Sequence, residues 1–286
     1  MPTIEVKAYA KLNLTLDVLS RRGDGYHDLR MVMQSVALSD ALRVSTGTGR
    51  GLAVSTDKSF LPCDERNLAA AAALRFQETT GTDLGGVSIE IEKRIPVCAG
   101  MAGGSSDAAA VLRALDELAG TGLDAAALAE IGAAVGSDVP YCVHGGTALA
   151  EGRGEVITPL APLPPCHVVL CKPYFSISTP ELFRQLDGVK LRRRPDTPGI
   201  VSALEAGDLE GVARRLYNVF EDVFPPRRAA EITAIKNTLI QHGALGACMT
   251  GTGSTVFGIF PDGPSARRAH DDLSQTYRET FLTKSI

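Results

Sequence analysis

Residues 96–107, Pro-Val-Cys-Ala-Gly-Met-Ala-Gly-Gly-Ser-Ser-Asp, run without a break into a helical pattern. Ala109, Leu112, Leu115 and Leu118 recur at helical spacing from Ser106 onward, and Gly120 stands where a C-terminal cap belongs. A helix N-terminus exposes unpaired backbone N–H groups and carries partial positive charge, so a loop without side chains can bring phosphate oxygens against those amides. A Cβ would block the approach. The dipole alone is worth only about 0.3–1 kcal/mol at an exposed site, so several amides and the serine hydroxyls must act together. No Gly-Lys-Ser/Thr follows, as in a Walker loop, and the Gly-x-Gly-x-x-Gly order of a dinucleotide fold is missing. Taken alone, the loop fits a tight turn with close helix packing as well as it fits a phosphate cradle.

Two other stretches narrow the choice. Lys11 and Asn13 lie two residues apart, on one face of a strand. Met249-Thr250-Gly251-Thr252-Gly253-Ser254-Thr255 is a second small-residue loop, running into the apolar strand Val256–Phe260. Three polar signatures far apart in sequence, each at the end of a regular element, suit a single converging site.

The remaining pattern mixes strands and helices. Alternation predicts strands over Ile4–Val18 and Ala41–Val54, and a strand with one wet face at Val87, Ile89 and Ile91. Asn67 caps a predicted helix to Thr79, and a second runs over Asp124–Val135. At Gly136-Ser137-Asp138-Val139-Pro140 the proline argues against continued helix. Pro159, Pro162, Pro164 and Pro165 place a domain boundary near 160, separating residues 1–160 from 161–286. Beyond it come a buried strand at His167–Cys171, helices at Ser178–Leu186, Ile200–Val219 and Arg227–His242, and a closing helix from Pro264 to about Tyr277.

A length of 286 residues and 44% hydrophobic content supply a core. A net charge of −4 argues against a broad grip on nucleic acid or an anionic membrane, so anionic ligands must be held by local groups. The six cysteines form no Cys-x-x-Cys pair and have no histidines at metal-ligand spacing; they read as small buried hydrophobes in a reducing cytoplasm. No signal peptide and no membrane-spanning apolar run is visible, which makes a cytoplasmic protein the expectation.

The stretch PVCAGMAGGSSDAA resembles the phosphate-binding motif of the GHMP kinases, and MTGTGSTVFGIF is similar to that superfamily's third motif. Residues 10–29, AKLNLTLDVLSRRGDGYHDL, and 136–142, GSDVPYC, are similar to the branch that phosphorylates a cytidine diphosphate ester of methylerythritol. The resemblance implies an α+β, two-lobed GHMP kinase fold. Its N-terminal lobe is like domain 2 of ribosomal protein S5, and its C-terminal lobe is ferredoxin-like. It also implies ATP and Mg²⁺, the metal's ligands being unassigned. Pro96, Gly100, Ala102, Gly103, Gly104, Ser105 and Ser106 would hold the nucleotide, and Lys11 and Asp138 would carry the chemistry. By itself, an Asp placed like Asp138 reads as a helix cap or Asx turn. Asn13 would meet the acceptor alcohol or hold Asp138, while Tyr26, His27 and an opposing Phe183 would form the cytidine platform. Where related kinases carry an aromatic before Gln34, this chain has Met33, making that wall of the pocket a thioether. Arg192, Arg193 and Arg194 read as a solvated loop. The partner is a small molecule, with no nucleic acid or membrane, and the chain a monomer or weak homodimer. Rival readings are another small-alcohol kinase of the homoserine or mevalonate type, or a ligand-sensing or RNA-binding module on the same scaffold.

Overall fold

The computed structural model describes residues 1–49 and 51–286. Thr3–Arg21 (β1) and His27–Thr46 (β2) form one long antiparallel ribbon. Its register shifts between Tyr9 and Lys11, between Asn13 and Thr15, and between Val18 and Ser20. Bulges of this kind bend a strand and re-aim its side chains. Leu52–Thr56 (β3) follows a turn at Gly47 and Gly49, both at positive φ. The alternation over Ala41–Val54 is therefore the end of one strand and the start of another, joined where only glycine adopts the backbone cheaply.

Leu68–Thr80 (α1) begins as expected, with the Asn67 side chain accepting from the Ala69 amide. Val87–Glu92 (β4) buries Val87, Ile89 and Ile91. Gly103–Ala119 (α2) starts three residues before Ser106, so Gly103 and Gly104 form its first turn, and Gly120 closes it in the left-handed conformation. Ala125–Ala133 (α3) is followed by Val139–His144 (α4). Pro140 thus opens a new helix, because in a first turn its missing N–H costs nothing.

Thr147–Gly152 (β5) and Val156–Pro159 (β6) extend the first sheet, whose order is β3-β4-β2-β1 with β5 and β6 branching from β2. His167–Lys172 (β7) leads to Thr179–Asp187 (α5), Thr197–Glu205 (α6) and Leu209–Ala213 (α7). The pattern over Ile200–Val219 breaks at Gly207, at positive φ, and at Asp208, which caps α7. Its end, Tyr217–Asn218 (β8), pairs parallel with Thr15 and Leu16 of β1. Pro226–Gln241 (α8), Gly246–Met249 (β9), Val256–Phe260 (β10), Gly263–Ser274 (α9) and Glu279–Lys284 (β11) complete the chain.

The second sheet runs β11-β7-β10-β9, all antiparallel, which with α8 and α9 makes a ferredoxin-like β-α-β-β-α-β unit. Val168 and Leu170 of β7 pack toward Leu12 and Leu14 of β1, while Val169 and Cys171 face a cluster containing Ile235 of α8 and Ala269 of α9. Burial on both faces is why β7 reads as an uninterrupted apolar run. Helices α1 to α3 cover the other side of the first sheet through Ala8, Leu42 and Val44. The centre of β1 is consequently buried from Ala10 to Val18, polar residues included.

The cysteines divide. Cys166, Cys171 and Cys248 are buried as expected, whereas Cys63 and Cys98 are exposed, Cys98 standing in the glycine loop itself. Among the described residues no helix is long and apolar enough to cross a membrane.

Candidate active site

Lys11 and Asn13 project from the buried centre of β1, and the register shift between Tyr9 and Lys11 lies just before them. Lys11 Nζ donates to Asn13 Oδ1 at 2.8 Å, and the same oxygen accepts from the Gly251 amide at 2.9 Å. The Asn13 amide donates to Thr250 Oγ1 at 3.0 Å, and the Lys11 amide to the Met101 carbonyl at 3.2 Å. Three distant segments are therefore tied at one point. Gly100 sits in it at φ +76°, and a Cβ there would lie 2.2 Å from the Thr250 carbonyl oxygen.

Asp138 reaches this point from the turn before α4. Its side chain makes no capping hydrogen bond, and Oδ2 stands 3.6 Å from Lys11 Nζ. The lysine side chain is 5% exposed and the carboxylate 33%, so the pair opens to solvent on the aspartate side only. Asn13, fully buried, bonds Lys11, Thr250 and Gly251 and donates weakly to Met31 Sδ. It orients the lysine and latches the Thr250 loop.

The glycine loop separates two hollows. A cavity of about 740 Å³ is lined by Lys11, Tyr26, His27, Ser105, Asp138 and Phe183. A second, of about 460 Å³, is lined by Asn67, Leu68, Lys93, Pro96, Gly103 and Asp107. Gly100, Ala102 and Ser105 border both. Ala102, at φ +56°, heads α2 without a side-chain cap, and no acidic residue occupies the first turn, so the opening amides keep their positive end for an incoming anion. Gly104 is exposed there. Ser106 is not: its Oγ donates to the Tyr9 carbonyl at 2.6 Å, fastening α2 to β1.

At the far end of the larger cavity the His27 and Phe183 rings stack face to face, with centroids 4.5 Å apart and planes 21° apart, and Phe220 meets Phe183 edge-on. His27 Nε2 is 2.7 Å from Asp187 Oδ1. No ring fits between two groups already in contact. Tyr26 is exposed, and the Arg153 guanidinium covers its ring at 5.0 Å. Met33 is fully buried in the core and lines neither hollow; the thioether on the cavity wall belongs to Met31.

A family model for the GHMP kinase N-terminal domain matches residues 67–146, and one for the GHMP kinase C-terminal domain matches residues 200–279. The chain belongs to the GHMP kinases. It is 42% identical over 98% of its length to a 4-diphosphocytidyl-2-C-methyl-D-erythritol kinase of Clostridium kluyveri, covering 99% of that relative. To the enzyme of that name from Caldicellulosiruptor saccharolyticus it is 43% identical, covering 97% of this chain and 95% of the relative. A crystal structure of 4-(cytidine 5'-diphospho)-2C-methyl-D-erythritol kinase superposes with a TM-score of 0.82 at 33% identity, covering 99% of both chains. The α+β, two-lobed GHMP kinase fold is the one expected from the motifs.

Beneath the loop of this GHMP kinase lies a charge cluster that no sequence period announces. Lys93 Nζ bonds Asp40 and, at 2.6 Å, Asp107, all three groups being nearly fully buried. Asp40 Oδ1 also accepts from the Arg94 and Ile95 amides, fixing the chain that enters the loop. One cation serves two carboxylates. Burial, and then the neighbouring Asp40, push the Asp107 carboxyl up to about 8 against the pull of Lys93. Between about pH 4, where an unfolded aspartate ionises, and about pH 8, the folded chain holds a proton that the unfolded chain has released. Stability should therefore fall as pH rises through that window. Asp107→Asn should flatten the fall, and denaturant titrations at several pH values would measure it.

The arginine run is an exposed loop, as expected, with surface contacts of its own. Arg194 donates to Asp17 Oδ1 and the Val18 carbonyl, both at 2.6 Å, and Arg193 lies over the Tyr217 ring at 4.8 Å, so two of the three side chains pin the α5–α6 connection to β1 and β8.

Proposed function

We propose that this GHMP kinase transfers the γ-phosphoryl group of ATP to the 2-hydroxyl of 4-diphosphocytidyl-2-C-methyl-D-erythritol, giving the 2-phosphate and ADP, in the non-mevalonate route to isoprenoid precursors. The observation that carries the reading is the Lys11–Asp138 pair, held 3.6 Å apart where the N-terminus of α2 opens onto both hollows.

Phosphoryl transfer needs positioning and charge neutralisation more than covalent help. The hollow beside Asn67 and Leu68 takes the nucleotide, and the amides of Gly103, Gly104 and Ser105 meet its phosphates. The larger cavity takes the acceptor, its base lying against Tyr26 and the His27–Phe183 pair. Asp138 accepts the acceptor hydroxyl's proton as that oxygen bonds to the γ-phosphorus and the bond to the bridging oxygen of the leaving ADP breaks. Lys11, oriented by Asn13, offsets the negative charge on the transferring group.

The described residues contain no cluster of three or more side chains built to hold a metal. Mg²⁺ does not require one, since it usually keeps several waters and takes one or two carboxylates together with substrate phosphates. Ser105, at the border of both hollows, offers an oxygen donor that would meet it. When bound it would neutralise phosphate charge.

ADP release by the purified protein should respond to the cytidylyl ester, and comparable turnover on homoserine or mevalonate would reject the acceptor assignment. Aromatic stacking on a base is worth about 1–3 kcal/mol. Phe183→Ala should therefore raise the KM for the cytidylyl ester by roughly 5- to 150-fold with a smaller effect on the KM for ATP, as steady-state kinetics would show.

A further inference from the structure

A second cavity of about 740 Å³ lies away from the glycine loop, where β11 parts from β2. Its floor includes Ala37, Leu38 and Ser39, the segment of β2 between its pairings with β5 and β4, and the side of β11 from Thr280 to Lys284. A bridge between Val36 and Ser285 and a hydrogen bond from the Ile286 amide to the Ser35 carbonyl pin the two strands together at one end. Lys7, Arg94, His167, Arg267, His270 and Lys284 line the groove, and no lining residue is a carboxylate.

The nearby acidic groups have polar partners of their own and do not enter the groove. Glu92 pairs with Arg94, Asp271 with His270, and Asp262 caps α9. Among the described residues Lys7, Arg267 and Lys284 form no ion pair. Like charges gathered in a concave surface raise the local potential and attract a counter-ion of matching charge. A single negative charge would leave most of them uncompensated. A long polyanion is disfavoured by the pinned end of the groove and by the chain's net charge of −4. Leu38 and Phe281 add an apolar wall.

We propose that this groove binds the diphosphate group of a small molecule, gripped by Lys7, Arg267 and Lys284. Calorimetric titration of inorganic pyrophosphate into the full chain, with the nucleotide hollow saturated by a non-hydrolysable ATP analogue, should show one binding event per chain. Arg267→Glu combined with Lys284→Glu should weaken it at least tenfold without changing turnover, while Arg267→Lys combined with Lys284→Arg should keep it. Running ADP in place of pyrophosphate distinguishes the sources of the group: tighter binding assigns the groove to nucleoside diphosphates, and weaker binding to pyrophosphate itself, either result supporting the site. No event in the saturated protein, an undiminished event in the charge-reversed variant, or equal binding of sulfate at matched ionic strength would overturn the proposal. The cations would then serve only to keep the edge strand β11 from pairing with another sheet.

Discussion

Replacing Asp138 by asparagine is expected to lower kcat by about 10²- to 10⁴-fold, the contribution of a positioned proton acceptor, while both substrates still bind. The substitution keeps the side chain's shape. Asp138 makes no capping bond to α4, so the helix start is not at stake, and Lys11 retains its 2.8 Å bond to Asn13. What disappears is the carboxylate facing the larger cavity. Steady-state turnover together with calorimetric titration of an ATP analogue and of the cytidylyl ester separates the two effects. Turnover near that of the unaltered protein would remove Asp138 from the reaction.

A comparably large effect, by another route, is expected from Gly100→Ala. The new Cβ would stand 2.2 Å from the Thr250 carbonyl oxygen, in a left-handed backbone that alanine adopts only under strain. Backbone lies on both sides of the clash, since Gly251 in turn packs against Gly100, so no flexible side chain can yield. Strain and overpacking each cost about 1–3 kcal/mol, which sets the expected loss of stability at about 3 kcal/mol and separates the Thr250 loop from Asn13. Gly104→Ala is the control. Its Cβ would meet only Leu68, at an ordinary 3.4 Å, on the exposed first turn of α2. That variant should unfold like the parent protein yet bind nucleotide more weakly, whereas Gly100→Ala should lose both. Denaturant unfolding and the KM for ATP, measured on the same pair, distinguish a latch from a cradle.

Of the two explanations the glycine loop's sequence leaves open, close packing holds at Gly100, and the cradle is the one the proposed function needs at Gly104. Gly100 is required by close packing of two loops, and Gly104 stands free beside the amides that a phosphate would use. Asn13 shows the same division of labour. Its spacing from Lys11 places it at the site, but only its burial beside Thr250 and Gly251 reveals that it orients the lysine and leaves Asp138 alone. Met33 and Met31 are two residues apart on β2, and proximity to Gln34 does not tell which one reaches the cavity. Lys93, Asp40 and Asp107 carry no signal at all in sequence, because a buried charge cluster has no period and its members come from three separate segments.

Local chemistry was sufficient wherever a short stretch imposes its own geometry. The Asn67 cap, the Gly120 stop, the alternation of Val87, Ile89 and Ile91, and the glycine-to-helix junction of α2 are all legible in this way, since hydrogen bonding and side-chain spacing within a few residues decide them. Tertiary structure alone decided the short strands β8, β9 and β11, whose pairing energy comes from neighbours distant in the chain. It alone set Arg194 against Asp17 and Arg193 over Tyr217. It also set His27 directly against Phe183 and gathered the cations of Lys7, Arg267 and Lys284 around one groove. These features depend on which surfaces the two sheets bring together, and burial, unlike periodicity, is a property of the assembled chain.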